Sequence, residues 1–349
     1  MKDLKQLVRE NIWNLKPYSC ARDEFKGEAS VFLDANENPF YSGYNRYPDP
    51  RQLALKAKIS KIKNIGAERI MLGIGSDEPI DLVYRIFCEP GIDNVVAMEP
   101  TYGMYGVCAD INNVEYRRVP LNADYSLNAK AMLDAADGNT KVMWLCSPNN
   151  PTGNLMSRKD LHTLLKEFEG IVVIDEAYID FSSETSWLTE IDSYPNLIVL
   201  QTFSKAWGMA GARCGMAFAS TQIIELFNKV KYPYNINSLT QNIISERIDK
   251  IAEKESQVSL ILEERSRLAK ELAQSPIVEC VYPSDANFLL VKVLDANKTY
   301  NALVSKGTIV RNRNTVKLCG NCLRITIGTK EENDILVQEF RRGCMMYNV

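Results

Sequence analysis

The sequence predicts an α/β protein with a large, mostly parallel sheet domain and a smaller α+β C-terminal domain, and three observations lead there. Short apolar runs recur at strand length: Asn94-Val-Val-Ala-Met, Lys141-Val-Met-Trp-Leu-Cys, Ile171-Val-Val-Ile-Asp and Leu197-Ile-Val-Leu-Gln-Thr. Helical stretches separate them, and strands alternating with helices build a largely parallel sheet covered on both faces. From about 238 to 274 breakers are few and charges many, which reads as one long helix leading out of the first domain. Apolar runs at Asn287-Phe-Leu-Leu-Val and Cys322-Leu-Arg-Ile-Thr-Ile then supply the small domain. The expected division is an arm over 1–40, a large domain over 41–245, and a small domain with its linking helix over 246–349.

Each element has a local reason. Pro17, Gly27 and Pro39 interrupt the first residues, which therefore read as an arm. Leu53 to Ile62 looks helical. Arg69-Ile-Met-Leu-Gly-Ile-Gly-Ser-Asp-Glu-Pro reads as a strand, a glycine turn and a helix start, and the helix over Ile80 to Cys88 ends near Pro90-Gly91. Tyr102 to Ile111 is the next helix. The strand at 141 is broken by Ser147-Pro-Asn-Asn-Pro-Thr-Gly. Ser157 is placed as an N-cap, with Leu161, Leu164, Leu165 and Phe168 as the buried stripe of its helix. That leaves His162 beside the stripe, at the surface. Polar groups gather where the strands end, the usual ligand crevice of such sheets.

Composition narrows the class. The 349 residues are 46% hydrophobic and 24% charged, close to ordinary globular usage. A net charge of -3 leaves no basic footprint for nucleic acid. The charged start and the lack of an apolar run near ~18 residues point away from a secretory signal or a membrane span. A soluble cytoplasmic protein is expected. The nine cysteines are scattered apart from Cys319-Gly-Asn-Cys322, which has no second pair and no histidine nearby. It is read as inert, with no metal site. With a single histidine in the chain, acid–base work would fall to another group, and a lysine of lowered pKa is the natural substitute.

Singly, the candidate pieces are plain. Asn150-Pro-Thr-Gly is a turn, Asp175 could cap a neighbouring helix, and Lys205 in Thr202-Phe-Ser-Lys could be solvated. In order, they meet one need: pyridoxal phosphate requires a lysine, an acidic partner for its ring nitrogen and a site for a phosphate dianion. The series Asn149-Asn-Pro-Thr-Gly153, Asp175-Glu-Ala-Tyr178 and Ser204-Lys-Ala-Trp-Gly-Met-Ala-Gly-Ala-Arg213 resembles the fold-type-I pyridoxal-phosphate aminotransferases. Leu15-Lys-Pro-Tyr-Ser, Leu33-Asp-Ala-Asn-Glu-Asn-Pro39, Tyr44-Asn-Arg-Tyr-Pro48 and Cys322-Leu-Arg-Ile-Thr-Ile-Gly328 resemble the histidinol-phosphate aminotransferase family. The likeness spans nearly the whole chain.

The resemblance implies roles. Lys205 would carry the cofactor as a Schiff base and act as general base, and Asp175 would pair with the pyridinium N–H. Tyr178 and Asn150, rather than Asn149, would bond the phenolic oxygen. Arg213, Ser204 and Thr202 would hold the phosphate, helped by N–H groups of the Ser76-Asp77-Glu78 turn, whose backbone rather than carboxylates is what counts. Tyr102 would stack on the ring, although a core aromatic at a helix start reads as well. Tyr47 would reach the phosphate of the opposite subunit of a homodimer. Arg324 would take a substrate carboxylate or phosphate and Arg311 would add charge for the dianion, while Arg313 is read as a solvated strand-end residue. Tyr18 and Asn36 are substrate candidates by resemblance alone.

The implied reaction is transamination between L-histidinol phosphate and 2-oxoglutarate, giving imidazole acetol phosphate and L-glutamate. Rival readings are an aromatic aminotransferase, a threonine-phosphate decarboxylase, or a binding protein that kept the fold and lost the chemistry. Against the last stand the complete set of cofactor motifs and the lack of a DNA-binding segment. How the imidazole ring is recognised is not legible.

Overall fold

The structure, a computed structural model, describes residues 2–20, 27 and 29–347, with side chains as far as 342. Seven strands, β1 (Ile70–Ile74), β2 (Asn94–Glu99), β3 (Glu115–Pro120), β4 (Thr140–Cys146), β5 (Ile171–Asp175), β6 (Leu197–Thr202) and β7 (Cys214–Phe218), form one sheet in the order β1-β7-β6-β5-β4-β2-β3. Every pairing is parallel except those of β7, which runs antiparallel to both β1 and β6. Strands β5 and β6 are buried at every position, as their unbroken apolar runs require. β3 is a charged, mostly exposed edge strand with no apolar run to announce it.

Four more strands, β8 (Val278–Val281), β9 (Phe288–Val293), β10 (Arg311–Asn312) and β11 (Cys322–Thr326), make a second, antiparallel sheet in the order β10-β11-β9-β8. Helices α1 (Leu4–Leu7), α2 (Glu10–Trp13), α3 (Leu53–Lys63), α4 (Asp77–Phe87), α5 (Met104–Ile111), α6 (Ala129–Asp134), α7 (Arg158–Glu167) and α8 (Thr221–Val230) accompany the large sheet. They are followed by α9 (Ser238–Ile248), α10 (Ile251–Ala273), α11 (Ala296–Ser305) and α12 (Lys330–Tyr347). None of the described helices is long and apolar enough to cross a membrane.

Two expectations need correction. The stretch from 238 to 274 is two helices, because its packing partner changes: α9 buries Ile244 and Ile248 in the large core, whereas α10 buries Leu268 and Leu272 in the core of the small sheet. The break falls at Asp249-Lys250, without glycine or proline. His162 is not a free surface residue. Ser157 caps α7 and the predicted stripe is buried, but a short turn over Trp187–Glu190 folds across the helix. His162 Nδ1 there meets the Tyr194 hydroxyl at 2.9 Å, with the Trp187 ring edge-on at 4.8 Å. The first residues, read as an arm, are anchored at their start: Leu7, Val8 and Ile12 sink into the large core. Pro17, Tyr18 and Ser19 are exposed, Cys20 is buried again, and residues 21–26 and 28 lie outside the described part. Cys319 and Cys322 are buried free thiols beside the Tyr125 hydroxyl.

Candidate active site

The carboxyl ends of β5 and β6 open onto a cavity of about 750 Å³, closed on the far side by the small sheet. Asp175 is the last residue of β5, only 2% exposed. Burial raises its carboxyl to about 6, against the pull of two donors, the Tyr105 hydroxyl at 2.7 Å and the Ala177 N–H at 3.0 Å. Glu176, its equally buried neighbour, turns away and is satisfied by Trp187 N–H at 2.7 Å, Gln201 at 2.8 Å and the Ser186 hydroxyl. One of two adjacent buried carboxylates therefore faces the cavity and the other ties loops together.

Lys205 stands three residues beyond β6, its Nζ 5.5 Å from the centre of the Tyr178 ring. Burial lowers its pKa first and the positive charge of Arg324 second, while Asp175 and Asp77 pull it back up. The turn between β1 and α4 forms another wall. Ser76, the N-cap of α4, makes no side-chain cap bond, so the helix start is not closed by its own side chain. Arg213, in a left-handed conformation at φ 52° just before β7, brings its guanidinium there, 3.5 Å from Asp77 Oδ2. Asp77 also accepts from the Tyr102 hydroxyl at 3.0 Å. Ser204 lines the cavity with its N–H bonded to Thr202 Oγ1 at 3.0 Å.

The large-domain candidates thus meet in one place: Ser76, Asp77, Tyr102, Asn150, Asp175, Tyr178, Thr202, Ser204, Lys205 and Arg213 all line the cavity. Glu78 does not. Its carboxylate is spent on Ile74 N–H at 2.6 Å and Asn235 at 3.0 Å. Asn150 faces the cavity, whereas the Asn149 amide is consumed by Pro100 O, Thr152 and Thr101. From the small sheet come Arg311 and Arg324, and Arg324 donates to Asn150 Oδ1 across the two sheets. Arg313, expected in solvent, lines the cavity too, and its Nε is buried without a hydrogen-bond partner.

Within one chain, Tyr18, Asn36 and Tyr47 lie outside this cavity. Tyr18 is 74% exposed. Tyr47 stacks on Tyr234 at 4.5 Å and donates its backbone N–H to Glu37 Oε1 at 2.7 Å, in a separate groove with Asn36.

Tyr105 is the residue that sequence reasoning missed. It is fully buried, stacked on Trp144 at 4.8 Å, with its hydroxyl on Asp175. A signal existed: Tyr105 follows Tyr102 by three residues at a helix start, and the two rings meet edge-on at 5.6 Å. Arg313 had one as well, since residues two apart on a strand point the same way.

Known proteins resemble this chain closely. A model of the aminotransferase class I and II family matches residues 31–340. The histidinol-phosphate aminotransferase of Parabacteroides distasonis is 59% identical over 341 residues, covering 98% of this chain and 99% of that protein. Among solved structures, the histidinol-phosphate aminotransferase from Clostridium acetobutylicum superposes with a TM-score of 0.81 at 22% identity, over 88% of this chain and 92% of that one. The Sinorhizobium meliloti histidinol-phosphate aminotransferase in complex with pyridoxal-5'-phosphate does so with 0.78 at 22%, over 85% and 82%. At that identity the two structures speak for the fold.

Proposed function

The chain belongs to the class I and II aminotransferases and, within them, to the histidinol-phosphate aminotransferase family, and from that membership we propose that it transfers an amino group between L-histidinol phosphate and 2-oxoglutarate, in histidine biosynthesis. The observation that carries this reading is one cavity in which a lysine held below its ordinary range faces a buried carboxylate, between arginines from both sheets.

Such a reaction calls for pyridoxal phosphate, and the residues fit it. A Cβ on Gly75 would lie 2.5 Å from Arg213 Nη2, and one on Gly215 would lie 2.4 Å from Ser76 N. Gly75 also sits at φ +67°. The two glycines let the β1–α4 turn close onto the Arg213 guanidinium, so that N–H groups of an uncapped helix start converge with a cation. Ser204 and Thr202 add hydroxyls, a donor set suited to a phosphate dianion. When bound, pyridoxal phosphate supplies an aldehyde carbon that takes up the amine and a protonated ring that accepts the electron pair of the Cα–H bond.

The chain's own residues do the rest. Asp175 holds the ring nitrogen protonated by its negative charge, and its two donors keep it ionised at neutral pH against burial. Tyr178 and Asn150 bond the phenolic oxygen, and Tyr102 covers the ring. Lys205 Nζ takes the proton from the substrate's Cα, and its lowered pKa favours the neutral amine that this requires. Arg324 and Arg311 receive the substrate's anionic end.

The site is completed in a homodimer, with Tyr47 reaching the partner's cofactor phosphate and Tyr18 and Asn36 near the substrate. An exposed apolar band supports this: Val31, Leu33, Phe40, Tyr41 and Tyr44 are 69–91% exposed, more than a monomer ordinarily tolerates in one segment. Mixing inactive Tyr47→Ala with inactive Lys205→Ala tests it. Hybrid dimers regain one intact site if Tyr47 crosses over and none if it serves its own chain. The separate core of the small sheet, with Leu289, Val291 and Ile325, supports a small C-terminal domain set apart from the large one. A cytoplasmic location goes with a small-molecule enzyme of this kind.

The reaction itself is tested by following L-glutamate formation from glutamate-free mixtures of 2-oxoglutarate and histidinol phosphate. Release of carbon dioxide from a phosphorylated amino acid without a keto acceptor overturns the reading. So does equal turnover of histidinol and its phosphate.

A further inference from the structure

The small-sheet wall of the cavity carries more positive charge than Arg311 and Arg324 alone. β10 and β11 pair Arg311 directly opposite Arg324, and the Arg313 N–H bonds Cys322 O at 2.9 Å, so the antiparallel pairing runs on through Arg313. Side chains two apart on a strand share a face, which puts three guanidiniums together. All three line the cavity. Like charges opposite one another destabilise a strand pair. Burial, then the charges of Arg324 and Arg311, push the Arg313 guanidinium down to about 10, still a cation at neutral pH.

Among the described residues, no carboxylate is paired with Arg313 or Arg324. Glu99, the acid used nearby, is held by Lys317 at 3.2 Å and Arg118 at 3.4 Å. Arg324 spends one N–H on Asn150, and the buried Nε of Arg313 bonds nothing. Three cations share one cavity face without a counter-charge, so a ligand that brings negative charge to that face relieves a repulsion the free protein bears.

We infer that Arg313 is a specificity residue, completing with Arg311 and Arg324 a three-guanidinium seat for the dianionic phosphate of the amine substrate. A carboxylate offers two oxygens and one charge, enough for one fork. A phosphate monoester offers three oxygens and nearly two charges, enough for three. Amines lacking the phosphate leave the like charges of the three guanidiniums unrelieved, so the seat selects against them as well as for the phosphate. The choice of histidinol phosphate as substrate rests on the aminotransferase reading. The anion seat itself does not.

The experiment uses holoenzyme, wild type against Arg313→Gln and Arg313→Lys. It measures kcat/KM for histidinol phosphate and for L-glutamate, and the inhibition constant of inorganic phosphate against glutamate. In Arg313→Gln the ratio of the two kcat/KM values falls about 10- to 100-fold and inorganic phosphate inhibits more weakly, whereas Arg313→Lys recovers part of both. Equal losses for the two substrates, or an unchanged inhibition constant, overturn the inference. If the wild type ignores histidinol phosphate, the substrate reading fails. Weakened phosphate inhibition in Arg313→Gln then still upholds the seat, and unweakened inhibition overturns it.

Discussion

At the carboxyl edge of the large sheet, two of the charges meet partners from their own chain: Asp175 has Tyr105 and the Ala177 N–H, and Arg213 has Asp77. On the small-sheet face, three guanidiniums line the same cavity, and Arg313 keeps a buried Nε without a partner. The difference separates two kinds of occupant. A wall whose groups are already oriented suits a group that stays bound through every turnover, because preorganised dipoles need no rearrangement when charge develops. A wall with uncompensated charge suits a ligand that brings its own counter-charge and leaves with it. The contrast holds only if substitutions on the two walls fail differently.

The largest effect is expected on the oriented wall. Lys205→Ala should lower kcat at least about 10⁴-fold, since the proton at the substrate's Cα loses its base. Cofactor should still be retained through the phosphate, which the absorbance of the purified variant reports. Borohydride reduction of the wild type followed by peptide mapping should place the cofactor label on Lys205, and a label on Lys141 or Lys229 would mean that the wrong lysine has been chosen.

Next in size is the uncompensated wall. Arg324→Ala removes a guanidinium that is partly buried, lies 5.4 Å from the Phe288 ring and bonds Asn150. The loss should be about 2–5 kcal/mol in kcat/KM for histidinol phosphate and for glutamate alike. Arg311→Ala should weaken histidinol phosphate more than glutamate. If both variants instead lower kcat equally for every substrate with KM unchanged, the small-sheet wall behaves like the large one and the comparison collapses.

How far these walls could be read from the sequence follows the same divide. Strands β4, β5 and β6 are unbroken apolar runs, and a central buried strand can hardly be anything else. The residues at their ends fall in short, ordered motifs, so Asn150, Asp175, Lys205 and Arg213 could be named before any fold was seen. β7 escaped because Cys214-Gly-Met-Ala-Phe is short, glycine-containing and joined to the Arg213 motif. The helix break at Asp249-Lys250 escaped because it reflects a change of packing partner, which leaves no mark in composition. Arg313 was misjudged for a related reason. Whether an arginine at a strand end is solvated depends on what lies opposite, and Cys322, which faces Arg313, is nine residues further along, at a distance periodicity does not report. The contribution of Tyr18, Asn36 and Tyr47, read from resemblance, depends on a second chain.

The smallest effect concerns the Tyr105 hydroxyl, and its sign can be worked out. Asp175 sits at about 6 in the cofactor-free chain, above the usual carboxylate value near 3.9. A carboxyl raised on folding contributes stability that is fully present below about pH 4 and is lost as pH rises through about 6, because the folded state binds the extra proton. Tyr105 donates to the ionised form and so opposes this rise. Tyr105→Phe should therefore raise Asp175 further, and the pH at which cofactor-free protein loses Tm should move upward. In holoenzyme the acid limb of kcat/KM should move to higher pH as well, with a loss of about tenfold at neutral pH, the scale of one hydrogen bond to a charged group. Asp175→Asn should remove the share of the pH dependence of Tm between about 4 and 6 that Asp175 contributes, leaving that of Glu176, whose carboxyl burial also raises. If Tyr105→Phe lowers Tm uniformly at all pH values and leaves the acid limb in place, then the ring's stacking on Trp144 is what matters and the Ala177 N–H alone suffices to hold the carboxylate.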